Sequence, residues 1–179
     1  MTFVLRKATP EDTPLLEQVI AESARKLGRP DYTDEQIEAA LGSAFGVDSQ
    51  LIRDGTYFVA ESADDGIVGC GGWSWRKTLF GSDRQAGRQS EALDPRYEAA
   101  RIRAFFVRPE WARRGIARAL LEKCEEEARL RGFQSLELLA TLPGHRLYQA
   151  LGYTGEARVT YPLGNDVTID FIPMMKKLR

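Results

Sequence analysis

Apolar residues recur along the chain in two rhythms, and each change of rhythm marks an element. The opening "TFVLRKAT" alternates as a strand does, and "PEDTPLLEQVIAESARKLG" then carries Leu15, Leu16, Val19, Ile20 and Leu27 at helical spacing. A second, shorter helix is predicted in "TDEQIEAALGSAF", capped by Thr33 or Asp34. The strand "DGTYFVAES" and the run "IVGCGGWSWR" flank the turn signal Asp64-Asp65-Gly66, which predicts an antiparallel hairpin. In "ARIRAFFV" the positions Ile102, Ala104 and Phe106 share one face until the adjacent Phe105 and Phe106 disturb the alternation, so a bulge is expected there. The next helix sets Ile116, Leu120, Leu121, Cys124 and Ala128 on one stripe. Arg118, Glu122, Lys123, Glu125, Glu126 and Arg129 lie around the rest, with Glu125 and Arg129 spaced as an ion pair and Gly132 as the stop.

Three elements close the chain: a buried strand in "FQSLELLAT", a short helix in "GHRLYQALG" ended by Gly152, and a hairpin in "ARVTYPLGNDVTIDFIPMM" turning near Gly164-Asn165. Pro162 and Pro173 suit strand ends or an edge. The polar segment 77–100 is too long for a hairpin connection and reads either as a loop covering a substrate or as a surface excursion. No repeat, low-complexity tract or long linker interrupts the 179 residues, so a single domain over 1–179 is expected.

Charge removes several classes of function. The 25 basic and 26 acidic residues leave a net charge of -1, so no overall field recruits nucleic acid or an anionic membrane, and a basic cluster must act locally. The start lacks the apolar run of a signal peptide, and no stretch approaches the roughly 20 apolar residues of a membrane span; a cytoplasmic protein is expected. Cys70 and Cys124 have no CxxC spacing or histidine partner, which signals neither a disulfide framework nor a metal site.

One basic cluster has chemistry to offer. In "VRPEWARRGIARALLEKC" two arginines and a glycine stand where a helix begins. A helix start leaves backbone N–H groups unpaired at the positive end of the dipole, and anions bind there. Gly115 clears a side chain from the approach, while Arg113, Arg114 and Arg118 add charge for phosphate oxygens. The stretch has neither the GK[ST] of a Walker A loop nor the GxGxxG of a dinucleotide fold.

With "FFVRPEW" before the turn and "LYQALGY" behind it, the sequence resembles the GCN5-related N-acetyltransferase (GNAT) family, whose signature is a strand, a [Q/R]xxGx[G/A] turn and a helix. The matching residues are Ala112 to Ala117, with Ala112 where the pattern prefers Gln or Arg; "TLPGHRLY" also lacks the Asn that many members carry before the tyrosine helix. The resemblance implies an α/β (α+β) fold: a mixed central sheet of about six or seven strands, splayed between the fourth and fifth and flanked by about four helices. It implies acetyl-CoA as cosubstrate, with Phe105, Phe106 and Val107 along the pantetheine arm and Arg113, Arg114, Gly115, Ile116, Ala117 and Arg118 around the pyrophosphate. Main-chain groups of Phe105 and Val107 would pair with the pantetheine amides as an added strand does, while the Phe106 side chain packs in the core.

Moving an acetyl group from a thioester to an amine needs a neutral amine and a proton for the departing thiolate. By the resemblance, Tyr148 is that acid, and Tyr153 packs. For the base, Glu61, Asp94, Glu98, Glu137, His145 and a water chain are all open. Trp73, Trp75, Trp111, Phe80 and Tyr97 are candidates to line an acceptor pocket. The implied activity is direct acetyl transfer to a primary amine of a small molecule or peptide in a ternary complex; the alternative is a non-catalytic acyl-CoA-binding regulatory module. A homodimer is compatible with either.

Overall fold

The structure is a computed structural model that describes residues 2–179. Its strands, in chain order, are β1 (Val4–Lys7), β2 (Tyr57–Ser62), β3 (Gly66–Ser74), β4 (Ala100–Val107), β5 (Ser135–Thr141), β6 (Val159–Gly164) and β7 (Val167–Lys177). The helices are α1 (Thr13–Leu27), α2 (Asp34–Leu41), α3 (Ser49–Arg53), α4 (Ile116–Leu130) and α5 (His145–Ala150). The strands form one open sheet of order β1-β2-β3-β4-β5-β7-β6, in which β4 and β5 run parallel and every other neighbouring pair antiparallel. Among the described residues seven strands meet the expectation and the helices are five, because α3 is too short to give a periodic signal.

Alternation along β2 sends Phe58 and Ala60 into an apolar layer with Ile116, Leu120, Leu121 and Cys124 of α4, and Tyr57 and Val59 into a second layer with Leu16, Val19 and Ile20 of α1. Cys124 is fully buried, as its place on the apolar stripe requires. Leu15 and Leu27 lie outside the buried face of α1, whose buried positions are Leu16, Val19, Ile20, Ser23 and Ala24. Thr33 is the cap of α2: its hydroxyl accepts from the Gln36 N–H at 3.1 Å.

Beside β3, strand β4 breaks register. Cys70 pairs with Phe106 and Gly72 with Arg103, so two residues of β4, Ala104 and Phe105, stand opposite Gly71. The bulge lies one residue before the expected position and holds Ala104 at φ 55°. The extra residue also corrects the predicted face: Ile102 and Phe105 share the α4 layer, whereas Ala104 and Phe106 belong to the α1 layer. Gly71 admits the Phe105 ring, since a Cβ there would lie 2.8 Å from it, and a Cβ at Gly69 would lie 2.7 Å from Ile116.

Beyond the bulge the sheet parts. β4 and β5 pair only at Ala100 with Leu136 and Arg101 with Glu137, and from there to Val107 and Thr141 they share no ladder. This is the expected splay between the fourth and fifth strands.

The segment after β3 folds back on itself, with an Arg76–Ala92 bridge and bonds from Lys77 N to Glu91 O and Thr78 N to Gln89 O. Its tip is tied to the α2–α3 connection by Ser82 N to Ser43 O (3.0 Å) and Asp83 N to Val47 O (3.0 Å). The closing hairpin turns at Asn165 and Asp166, whose φ values of 51° and 60° define a turn of the kind that matches strand twist. Pro162 lies on the edge strand β6, and Pro173 lies past the last residue that β6 pairs. No helix among the described residues is long and apolar enough to cross a membrane.

Candidate active site

A cavity of about 460 Å³ opens between the C-terminal end of α1, the parted end of β4, the turn before α4 and the start of α5. Phe105, Phe106, Val107, Arg113, Gly115, Ile116, Ala117, Arg118 and Tyr148 all line it. Arg114 does not; its guanidinium lies over the Trp111 ring, 5.1 Å from the centroid. Trp111 in turn donates its indole N–H to Asp65 at 3.0 Å and so ties the turn before α4 to the β2–β3 hairpin.

That turn has the conformation an anion site needs. Arg113 has φ 63° and Gly115, which caps α4, has φ 84°. The Ala119 N–H is the first to bond into the helix, to Gly115 O, which leaves the N–H groups of Ile116, Ala117 and Arg118 without an intrahelical acceptor at the positive end of the α4 dipole. Apart from Gly115 and its chain neighbours, no atom of the described residues lies within 4 Å of where a Gly115 Cβ would stand, so the backbone faces open space. Bare amides, a clear approach and two arginines in one wall fit a diphosphate.

Phe105 and Val107 line the same space, on the stretch of β4 that β5 leaves unpaired. Across the gap, the β5 end is fixed by Tyr32, whose hydroxyl donates to Asp170 O at 2.7 Å and accepts from Leu142 N–H at 2.9 Å. Burial pushes the Tyr32 pKa up to about 12, so it stays a neutral donor. Where many relatives of the resembled family carry an asparagine, Thr141, Pro143 and Gly144 line the cavity here.

Tyr148 is 8% exposed, its ring edge-on to Phe105 (6.4 Å) and Tyr153 (5.8 Å). Among the described residues its hydroxyl has no hydrogen-bond partner. Desolvation, with a smaller contribution from neighbouring Cys124, raises its pKa well above the ordinary phenol value and keeps it protonated.

A second, smaller cavity of about 70 Å³ adjoins the first. Phe45, Phe105, Phe106, Thr141 and Tyr148 belong to the walls of both. Leu79, Phe80 and Gly81 of the folded-back segment, Arg103 and Ala104 of β4, and Phe171 of β7 line its far side. The long connection is therefore a wall of this cavity.

The base candidates lie elsewhere. Glu61 is paired with Arg6 (3.0 Å), Glu137 with Arg101, and Asp94 with Arg96 (2.8 Å), while Glu98 accepts from the Asp94 N–H (2.7 Å). The His145 imidazole contacts Gly155 O at 2.8 Å. None of these five lines either cavity. Nor do Trp73, Trp75 and Tyr97: Trp73 is in the core, Trp75 stacks beneath Arg131 (3.7 Å), and Tyr97 is exposed beside Arg96. Of the aromatic candidates, Trp111 reaches the larger cavity and Phe80 the smaller.

Glu125 departs from its predicted role. It is buried, accepts from Tyr153 Oη (3.1 Å) and pairs with Lys176 (2.9 Å), while Arg129 bonds the carbonyl of Arg179. Tyr32, Phe45, Thr141 and Arg103 had no signature in the sequence beyond, for Arg103, a charge in the middle of an apolar strand.

The family model for the GNAT acetyltransferases matches residues 18–153, and the chain belongs to that family. Its fold is similar to that of a GCN5-related N-acetyltransferase from Rhodopseudomonas palustris, at 21% identity and a TM-score of 0.71, over 99% of this chain and 97% of the other. It is also similar to the PaiA N-acetyltransferase of Thermoplasma acidophilum in complex with coenzyme A (18% identity, TM-score 0.66, 99% of each chain). A phosphinothricin acetyltransferase from Sinorhizobium meliloti in complex with acetyl-CoA is a further likeness, with 18% identity and a TM-score of 0.64 over 99% of this chain and 89% of the other. No curated protein matches the chain.

Proposed function

We propose that this chain, acting as one domain over 1–179, transfers the acetyl group of acetyl-CoA to a primary amine by direct attack in a ternary complex. The observation that carries the reading is Tyr148, whose desolvated, unpartnered hydroxyl stands in the common wall of the two cavities. In this reading the amides of Ile116, Ala117 and Arg118, with the side chains of Arg113 and Arg118, hold the pyrophosphate, and Gly115 admits it. Phe105 and Val107 offer main-chain groups to the pantetheine amides, with the Phe106 ring packed behind them against Phe45 (5.6 Å). The acceptor approaches from the smaller cavity.

As the new N–C bond forms and the C–S bond breaks, the Tyr148 O–H donates its proton to the departing sulfur. No carboxylate or imidazole stands among the described residues lining either cavity, so the acceptor reacts as the free amine and loses its surplus proton to water, which returns a proton to the Tyr148 oxygen.

The test is thiol release from acetyl-CoA with a panel of primary amines, for the wild type and for Tyr148→Phe. The variant should keep its melting temperature, because the lost hydroxyl bonded nothing, and should turn over about 10²–10⁴-fold more slowly. A folded variant with wild-type turnover, on an acceptor for which chemistry limits the rate, overturns the role of Tyr148. Cofactor binding with no thiol release on any amine would favour a non-catalytic acyl-CoA-binding module.

A further inference from the structure

The smaller cavity has a charged wall. Arg103 is 3% exposed, at the residue just before the bulge. Its guanidinium donates through Nη2 to Asp48 Oδ2 (2.9 Å) and Gly81 O (2.8 Å), and through Nη1 to Thr78 O (3.3 Å). Those three bonds use three of its five N–H groups and leave the Nε–H and one Nη1–H without a protein partner among the described residues. Asp48, 1% exposed, is shared: its other oxygen accepts from Arg88 Nη2 at 2.6 Å and from the Gln50 N–H at 3.0 Å. Two guanidiniums and one carboxylate leave a net charge of +1 in the cluster. A buried arginine does not shed its proton near neutral pH, so the charge stays.

Among the described residues that line this cavity, Arg103 is the charged one; the rest of its wall is apolar, aromatic or neutral. A positive charge in such surroundings attracts an anion and repels a second cation far more strongly than it would in water. We infer that the acceptor is a small amine that also carries a carboxylate, with the carboxylate toward Arg103 and an apolar portion against Phe80 and Phe171. The inference rests on the reading above that the smaller cavity receives the acceptor. It also accounts for the lack of a side-chain base: a cation in the wall disfavours the ammonium form of an incoming amine.

Matched pairs test it: phenylalanine against 2-phenylethylamine, and 4-aminobutyrate against butylamine, with spermidine as a polycation. Thiol release gives kcat/KM, and calorimetry with coenzyme A bound gives affinity independently of turnover. In the wild type the acid of at least one pair should exceed its partner without the carboxylate by about 10–100-fold, the usual worth of a hydrogen bond to a charged group. In Arg103→Gln that ratio should fall toward one, and in Arg103→Lys it should be partly kept. If Arg103→Gln does not fold, the wild-type ratios decide the matter on their own. Equal handling of acid and plain amine in both pairs, by rate and by affinity, overturns the inference, as does a preference for spermidine. Acid-selective binding without thiol release would support the charged site while sinking the transferase reading.

Discussion

The Tyr57 hydroxyl donates to the Ala104 carbonyl at 2.9 Å, reaching from β2 past β3 to the residue of β4 whose φ is positive. A left-handed alanine costs about 1–2 kcal/mol, and a bulge persists only where its surroundings over-determine it. Tyr57 lines neither cavity, so its effect on a ligand must pass through the bulge. Tyr57→Phe leaves that carbonyl without its donor and should cost about 1–3 kcal/mol, each kcal/mol lowering the melting temperature by about 2–4 °C. Acetyl-CoA affinity by calorimetry should fall with it. Unfolding at the wild-type temperature with unchanged affinity would mean that the Gly71 side of the ladder holds the bulge unaided.

Gly115 separates the needs of the fold from those of the ligand. Its φ of 84° makes any side chain strained, yet a Cβ meets no atom of the described residues beyond its chain neighbours. Gly115→Ala should therefore cost about 1–2 kcal/mol of stability and no more. Gly115→Asp places a carboxylate at the α4 start, where the dipole tolerates it in the free protein and a diphosphate does not. Its dissociation constant for coenzyme A should rise on the order of 10²–10³-fold. A folded Gly115→Asp variant with wild-type affinity would move the phosphate site elsewhere.

Alkaline stability follows from four buried phenols and two buried thiols. Burial raises the pKa of Tyr32, Tyr57, Tyr148, Tyr153, Cys70 and Cys124, that of Cys70 from 9.0 to about 12. Each group holds its proton more tightly folded than unfolded. Its contribution is whole below the unfolded pKa and is lost as pH rises through the interval up to the folded one. Stability should thus be insensitive to these groups near neutral pH and fall steeply above about pH 9–10, by about 1.4 kcal/mol per pH unit for each group then ionised in the unfolded chain alone. Urea unfolding across that range measures it, and the tyrosinate band should gain these four phenols only on unfolding. Their ionisation in the folded protein at pH 10 would contradict the prediction.

Motifs built from neighbours in sequence were legible, and contacts between distant segments were not. The turn before α4 could be read because Arg113, Gly115 and the amides it exposes lie within one turn of chain, and the hairpins could be read because Asp64-Asp65-Gly66 and Gly164-Asn165 mark them. The bulge was misplaced by one residue because Phe105-Phe106 breaks the pattern of polarity, whereas the backbone irregularity sits at Ala104, an apolar residue that fits the alternation. Glu125 looked solvated because helical spacing says nothing of Lys176, 51 residues on, which neutralises it. The Asp48–Arg103 contact spans 55 residues and the Tyr32–Leu142 contact 110. Such pairs exist only after the sheet has assembled, so the parts of the two cavity walls to which Tyr32 and Arg103 belong left the fainter trace.

Strands β4 and β5 separate after two residue pairs. Beyond Arg101 and Glu137 the two strands pair no further, so an extended ligand entering there has no β4–β5 ladder to break. Its arrival is a docking event without a prior opening step. The observed association rate should then rise in proportion to ligand concentration, with no plateau from a slow conformational change.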